Sequence, residues 1–229
     1  MKVSWDRSSR IPRIWSNKIL KRISHNFDGD IINISGWKDD DKEGNNYSKY
    51  FINSKSYTIS NYRGQKGISN LDNEIFIDLE ADLDKNMLNR FDVCFNHTTL
   101  EHIYNFQKAF ENICLMSKDI VILILPFSQE LHETESYGDY WRFTPSSIKK
   151  MFEKNNLKVI MSLYNNHRNA GIYTFTVASK NPEKWDGLLS NYKRNSKRIG
   201  YWIGQSLVKM FVKRIITSVR NNFLLKKKK

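Results

Sequence analysis

The residues able to do chemistry fall into a few short clusters. Asp39, Asp40 and Asp41 are consecutive carboxylates of the kind that hold a divalent cation. They lie in a Lys-, Glu- and Asn-rich stretch with no further ligand at a recognisable spacing, so a solvated loop and no metal are expected. Cys94 and Cys114 show no CxxC or Cys/His spacing, and their apolar or helical settings suit buried thiols in a reducing compartment. Glu101-His102 opens a helical pattern, where an acid in the first turn is favoured by the helix dipole. A packed or solvated histidine and a functional pair are both open readings. Asp139 to Pro145 also reads two ways: a turn in which Trp141 and Phe143 fill the core and Arg142 pairs with an acid, or part of a site.

Strands and helices that alternate along the chain must position these clusters. A helix is expected from about Ser16 to Ile23, with Ser16 as its cap and Ile19, Leu20 and Ile23 as its apolar face. Short β-rich runs follow at Ile31–Gly36, Tyr57–Ser60, Glu74–Asp78 and Phe91–Asn96. Apolar residues at Leu100, Ile103, Phe106, Phe110 and Ile113 predict a helix over Leu100–Met116. Asp119–Pro126 is almost continuously apolar, as a central strand covered on both faces must be. A helix over Ser146–Asn155, capped by Ser146 or Ser147, precedes strands at Lys158–Ser162 and Ile172–Ala178. Such alternation implies an α/β fold, a mostly parallel sheet with helices on both faces, which binds ligands at the carboxyl ends of its strands.

The formal charge of +13 is carried by the C-terminus, because no Asp or Glu occurs from Gly187 onward. A nucleic-acid-binding body is therefore not implied, and RNA ranks below other partners. Trp202 or Ile203, Leu207, Phe211, Ile215, Val219 and Phe223 recur at near-helical spacing among Lys209, Lys213, Arg214 and Arg220. This predicts a basic amphipathic helix suited to an anionic membrane surface, where each cation near the surface contributes about 1 kcal/mol. Packing on the domain, or on a second copy as a homo-oligomer, is the other reading. No apolar run near the N-terminus suits a secretory signal and Ile120–Phe127 is too short to span a bilayer. A cytoplasmic location is expected, at most peripheral to the membrane. The expected organisation is a helical lead-in at 1–29, a catalytic-type domain at 30–181 and the basic tail at 182–229.

The segment Phe91-Asp92-Val93-Cys94-Phe95-Asn96-His97-Thr98-Thr99-Leu100-Glu101-His102 resembles the fourth-strand region of class I S-adenosylmethionine-dependent methyltransferases. Asp139-Tyr140-Trp141-Arg142-Phe143-Thr144-Pro145, with His132 ahead of it, is similar to a segment of methyltransferases associated with glycan and surface-polysaccharide pathways. The resemblance spans roughly Asp30 to Ser179. It implies a Rossmann-like sheet, S-adenosyl-L-methionine as cofactor and a sugar or glycan intermediate as substrate.

The resemblance also assigns residues. It puts the cofactor across Asn33, Ser35, Gly36, Ser60, Asn61, Asp78, Leu79, Asn96 and His97. His132 is the candidate base for an acceptor hydroxyl, with Asp139 as its partner or alternative. Tyr140 and Arg142 are candidates for orienting the acceptor, since Arg offers a planar fork of donors. The departures are at the first loop, where Ser35 and Trp37 stand at expected glycines and Asn33 at the usual acid. Ser60 and Asn61 replace the acid at the end of the second strand, and a neutral acceptor gives a hydrogen bond roughly half as strong. A rival expectation is an inactive scaffold of the same fold that recruits partners at the membrane.

Overall fold

The computed structural model describes residues 5–62, 73–165, 170–187 and 215. Seven strands form one sheet: β1 (Gly29–Ile34), β2 (Ser54–Asn61), β3 (Glu74–Phe76), β4 (Phe91–His97), β5 (Ser117–Ser128), β6 (Lys158–Tyr164) and β7 (Ile172–Ser179). Their spatial order is β3-β2-β1-β4-β5-β7-β6. Every pairing is parallel except those of β7, which runs antiparallel to both β5 and β6. The predicted α/β sheet is thus present, with one reversed strand.

The apolar alternation of the two central strands sorts the core into two layers. Val93, Phe95, Ile120, Ile122 and Ile124 face α1 (Trp5–Ile23) and the 3₁₀ turn Tyr47–Tyr50. Cys94, Val121, Leu123 and Leu125 face α2 (Phe106–Met116) and α3 (Pro145–Lys154). Because successive strand residues point to opposite faces, only a run apolar at every position serves a sheet covered on both sides. Cys94 and Cys114 are buried free thiols, and burial raises the pKa of each.

Strand ends differ from the sequence reading by a few residues, and three helical boundaries differ in ways that bear on the site. The first helix begins at Trp5 rather than near Ser16 and continues through Pro12, so Ser16 is a buried interior residue and not a cap. Its hydroxyl donates to the Arg13 carbonyl at 2.9 Å. Leu100–His102 is a 3₁₀ turn separated from α2, because the Glu101 carbonyl accepts the distant amides of Tyr140 (2.7 Å) and Trp141 (3.2 Å) instead of a helical partner. The dipole explanation for Glu101 therefore falls away. Thr144, not Ser146 or Ser147, caps α3 by accepting from the Ser147 amide at 3.0 Å, with Pro145 in the first helical position.

The amphipathic tail expected over Trp202–Phe223 lies outside the described residues except for Ile215. Among the described residues no helix is long and apolar enough to cross a membrane.

Candidate functional site at the carboxyl ends of the strands

A cavity of about 550 Å³ opens beyond the carboxyl ends of β1, β2 and β4. One wall is the loop after β1. Ser35 and Trp37 have φ angles of 56° and 49°, the left-handed region where glycine is the usual occupant and another residue costs about 1 kcal/mol or more. The turn keeps the shape of a glycine loop while carrying side chains. Its amides are held by β2: Ser35 donates to Ser60 Oγ (3.3 Å), Gly36 to the Ser60 carbonyl (3.1 Å) and Trp37 to Asn61 Oδ1 (2.7 Å). Asn61 Nδ2 returns a bond to the Trp37 carbonyl at 3.0 Å and another to Glu74. Lys42 Nζ sits 4.5 Å from the Trp37 ring centroid.

Gly36 is required here by close approach. A Cβ on it would lie 2.6 Å from Asn33 Nδ2 and 3.1 Å from Ile59 Cγ2. Gly36→Ala is expected to cost about 1–3 kcal/mol through overpacking. An unchanged urea midpoint would contradict this packing.

The carboxylates of this loop are not the solvated run expected from the sequence. Asp39 and Asp41 are 2% and 0% exposed, because the loop folds back and supplies their donors. Asp39 accepts from Asn33 Nδ2, the Tyr57 hydroxyl and the Ser48 amide. Asp41 accepts from the Tyr50 hydroxyl and the amides of Glu43 and Asn45. They fix the loop in place of a helix between β1 and β2.

The second wall is the end of β4 with α1 across it. Asn96 is buried and donates to the Ile34 carbonyl at 2.8 Å, tying β4 to β1. Ser16 Oγ lies 3.0 Å from His97 Nε2. Since the Ser16 proton goes to Arg13, the ring donates there and Nδ1 accepts from Thr98 Oγ1 at 3.2 Å. Arg13 closes the ring by donating to Thr98 Oγ1 (2.9 Å) and to the Tyr47 hydroxyl (3.0 Å).

Burial, then the Arg13 charge, holds His97 neutral, well below the ordinary histidine pKa of 6.5. Its contribution to stability is complete above that unfolded-state pKa. It is lost as pH falls, by up to about 1.4 kcal/mol per pH unit, because only the unfolded chain takes up the proton. His97→Gln, which keeps a donor for Ser16, is expected to flatten the stability profile between about pH 5 and 7. Equal slopes for both proteins would contradict this assignment.

The third wall is the segment after β5, stitched to the 3₁₀ turn that follows β4. Besides the two amides on the Glu101 carbonyl, His102 Nδ1 donates to the Gly138 carbonyl at 2.7 Å and Trp141 Nε1 to the Ile103 carbonyl at 3.1 Å. Asp139 has a fully buried side chain. Arg142 grips it with both terminal nitrogens and holds its carboxyl well below the usual range. Asp139 Oδ2 accepts the His132 amide at 2.9 Å and lies 3.2 Å from His132 Nδ1. Glu101 is fully buried, and burial pushes its carboxyl up to about 8.

Of the residues proposed from the sequence, Asn33, Ser35, Gly36, Asn61, His97 and His132 share this cavity wall. Ser60 lies directly behind it as the support of the loop. Asp78 accepts the Glu80 amide, and Leu79 belongs to the core with its carbonyl accepting from Asn112. These two, with Asn96, Asp139, Tyr140 and Arg142, are not in the wall. Arg142 acts on Asp139, and Tyr140 is half exposed with its ring edge-on to Tyr104. The wall also holds Trp37, read from the sequence only as a departure from the glycine loop, and Arg13, Tyr47 and Tyr137, which carried no signal there. Arg13 meets the site across 85 residues of chain.

No protein-family model and no curated protein matches the sequence. Solved structures do match in fold. A magnesium protoporphyrin IX methyltransferase from Synechocystis with bound SAM is 10% identical, with a TM-score of 0.55 over 79% of this chain and 86% of that one. A 1,6-didemethyltoxoflavin-N1-methyltransferase from Burkholderia thailandensis, with its substrate and S-adenosylhomocysteine bound, is 15% identical. Its TM-score is 0.52 over 77% of this chain and 85% of that one. The chain has the fold of the class I S-adenosylmethionine-dependent methyltransferases.

Proposed function

We propose that this chain is an S-adenosylmethionine-dependent methyltransferase whose acceptor is a sugar hydroxyl of a surface-glycan intermediate. The observation that carries the reading is the loop after β1, bent through Ser35 and Trp37 as a glycine turn bends and bordering a cavity at the strand ends. Solved proteins with this fold carry the cofactor or its product.

The residues at the site fit such a cofactor. The volume falls within the range of about 300–1,000 Å³ typical of ligand pockets. Trp37 and Tyr62 line the cavity with aromatic rings against which a base could pack, and Arg13 offers a guanidinium to an amino-acid carboxylate. Neutral Asn61 stands where a carboxylate would grip a ribose. When bound, the cofactor supplies an activated methyl group for in-line displacement, and the chain's own work is orientation and removal of the acceptor proton.

His132 is the group we assign to take that proton. Gln129 Nε2 lies 3.0 Å and Asp139 Oδ2 3.2 Å from its Nδ1, Asp139 also accepts its backbone amide, and Arg142 holds Asp139. The similarity of Asp139–Pro145 to glycan-associated methyltransferases supports a sugar acceptor. The basic tail supports a cytoplasmic protein working at a membrane surface on a lipid-linked intermediate.

Incubation with S-adenosylmethionine and a panel of nucleotide-sugar and lipid-linked sugar acceptors is expected to yield S-adenosylhomocysteine together with a methylated sugar. Product formed only with a different acceptor class would remove the glycan half of the reading. A scaffold reading is favoured by one observation, that the amides of Ser35, Gly36 and Trp37 are all satisfied within the protein. It predicts no cofactor binding at all.

A further inference from the structure

Glu101 is the one fully buried carboxylate among the described residues with neither side-chain oxygen hydrogen-bonded. An isolated polar group in that position costs several kcal/mol unless something compensates it. Its Oε1 lies 3.8 Å from His102 Nε2, and ligand atoms of Glu101, His102 and His132 all lie within 4.8 Å of one another. We infer that these three residues form a binding site for a divalent first-row transition-metal ion at the acceptor end of the cavity.

The donor set is one carboxylate oxygen and two imidazoles, which suits zinc, iron or cobalt rather than calcium or magnesium. Ligands of a single ion with bonds near 2.1 Å stand about 3.0–3.5 Å apart. The cluster must therefore close by about an ångström, and the ring able to move is His132, whose side chain is 44% exposed.

The surroundings prepare each ligand. His102 Nδ1 donates to the Gly138 carbonyl, which leaves Nε2 as the ring nitrogen on the side of Glu101, 3.8 Å from its Oε1. His132 Nδ1 lies 3.0 Å from Gln129 Nε2 and 3.2 Å from Asp139 Oδ2, and Asp139 is itself gripped by Arg142; turning the ring so that Nδ1 donates to Asp139 would make the carboxylate–histidine pairing that orients metal ligands. The two imidazole rings meet edge to face at 4.6 Å. Glu101 and His102 are fixed by the bonds that pin their backbone turn to residues 138–141.

Three protein ligands leave positions for an exogenous donor, as catalytic metal sites do, and His102 and His132 line the cavity. The chemical class that would fill those positions is an oxygen donor such as a sugar hydroxyl or vicinal diol. This identification of the occupant rests on the methyl-transfer reading, whereas the ion site stands without it. With the ion present, His132 serves as a ligand rather than as the base.

The test uses the tag-free full chain, stripped with chelator and titrated with Co²⁺ while its visible absorption is followed, then with Zn²⁺ by calorimetry. One ion is expected per chain, with affinity reduced more than about tenfold in His132→Ala and in Glu101→Gln. His132→Ala alters an exposed side chain and Glu101→Gln preserves shape, and far-ultraviolet circular dichroism checks that each is folded. No uptake by the wild-type chain, or equal uptake by both folded variants, would overturn the site. Cofactor titration of the same stripped protein is scored separately, so loss of the methyltransferase reading and loss of the ion site are distinguishable.

Discussion

Asn61→Ala is expected to lower stability by about 3 kcal/mol and to remove measurable binding of S-adenosylmethionine. The side chain holds both backbone polar groups of Trp37, accepting at 2.7 Å and donating at 3.0 Å, and also donates to Glu74. Truncation strands these partly buried partners, each of which costs about 1–3 kcal/mol when left unmade. It also releases the restraint on a Trp whose left-handed backbone is unfavourable by about 1 kcal/mol or more. Asn61→Asp, which restores the acid expected at this point, is not expected to help. A carboxylate there keeps the acceptor for the Trp37 amide but turns an oxygen toward the Trp37 carbonyl and Glu74. Urea unfolding and cofactor titration of both variants check this, and near-wild-type behaviour of Asn61→Ala would show that the loop holds its shape by other means.

Arg142→Ala is expected to cost about 3 kcal/mol, because removing one partner of a buried ion pair leaves the other charged and unpaired. The figure is taken at the low end since Arg142 is 28% exposed while the Asp139 side chain is fully buried. The functional loss should exceed the stability loss. Asp139 carries the His132 amide and faces its ring, so freeing it loosens the whole acceptor-side segment. Arg142→Lys keeps the charge without the two-pronged grip and should recover only part of the effect. Tyr140→Ala, at a half-exposed ring beside the same segment, is expected to leave stability within about 0.5 kcal/mol. Thermal unfolding of the three variants at one pH separates them, and equal midpoints for Arg142→Ala and wild type would contradict the clamp.

What could be read from the sequence was whatever depends on local periodicity. β5 was legible because Ile120–Leu125 must serve two faces at once, and the packing divides those residues alternately between the two core layers. The Arg142–acid pairing was one of two readings of Asp139–Pro145, and the residues are only three apart. The helical spacing of Leu100, Ile103 and Phe106 misled because a 3₁₀ turn followed by an extended step turns the same residues to the core, Leu100 buried and Ile103 and Phe106 partly so. Nothing local shows that the Glu101 carbonyl is claimed by amides almost forty residues later. Arg13 and Ser16 read as ordinary helix residues, yet the fold sets them against Thr98 and His97. Ser35 and Trp37 argue against a glycine turn by type, and only Asn61 and Ser60, supplied from the neighbouring strand, explain why the chain adopts one.

Calorimetric titration of the full chain with S-adenosylmethionine and S-adenosylhomocysteine tests the central claim most directly. Saturable binding of both in the micromolar range, about 8 kcal/mol, with Asn61→Ala binding neither, is the predicted result. No binding of either to a folded wild-type chain, with and without Zn²⁺ present, would contradict it and leave the fold serving as a scaffold.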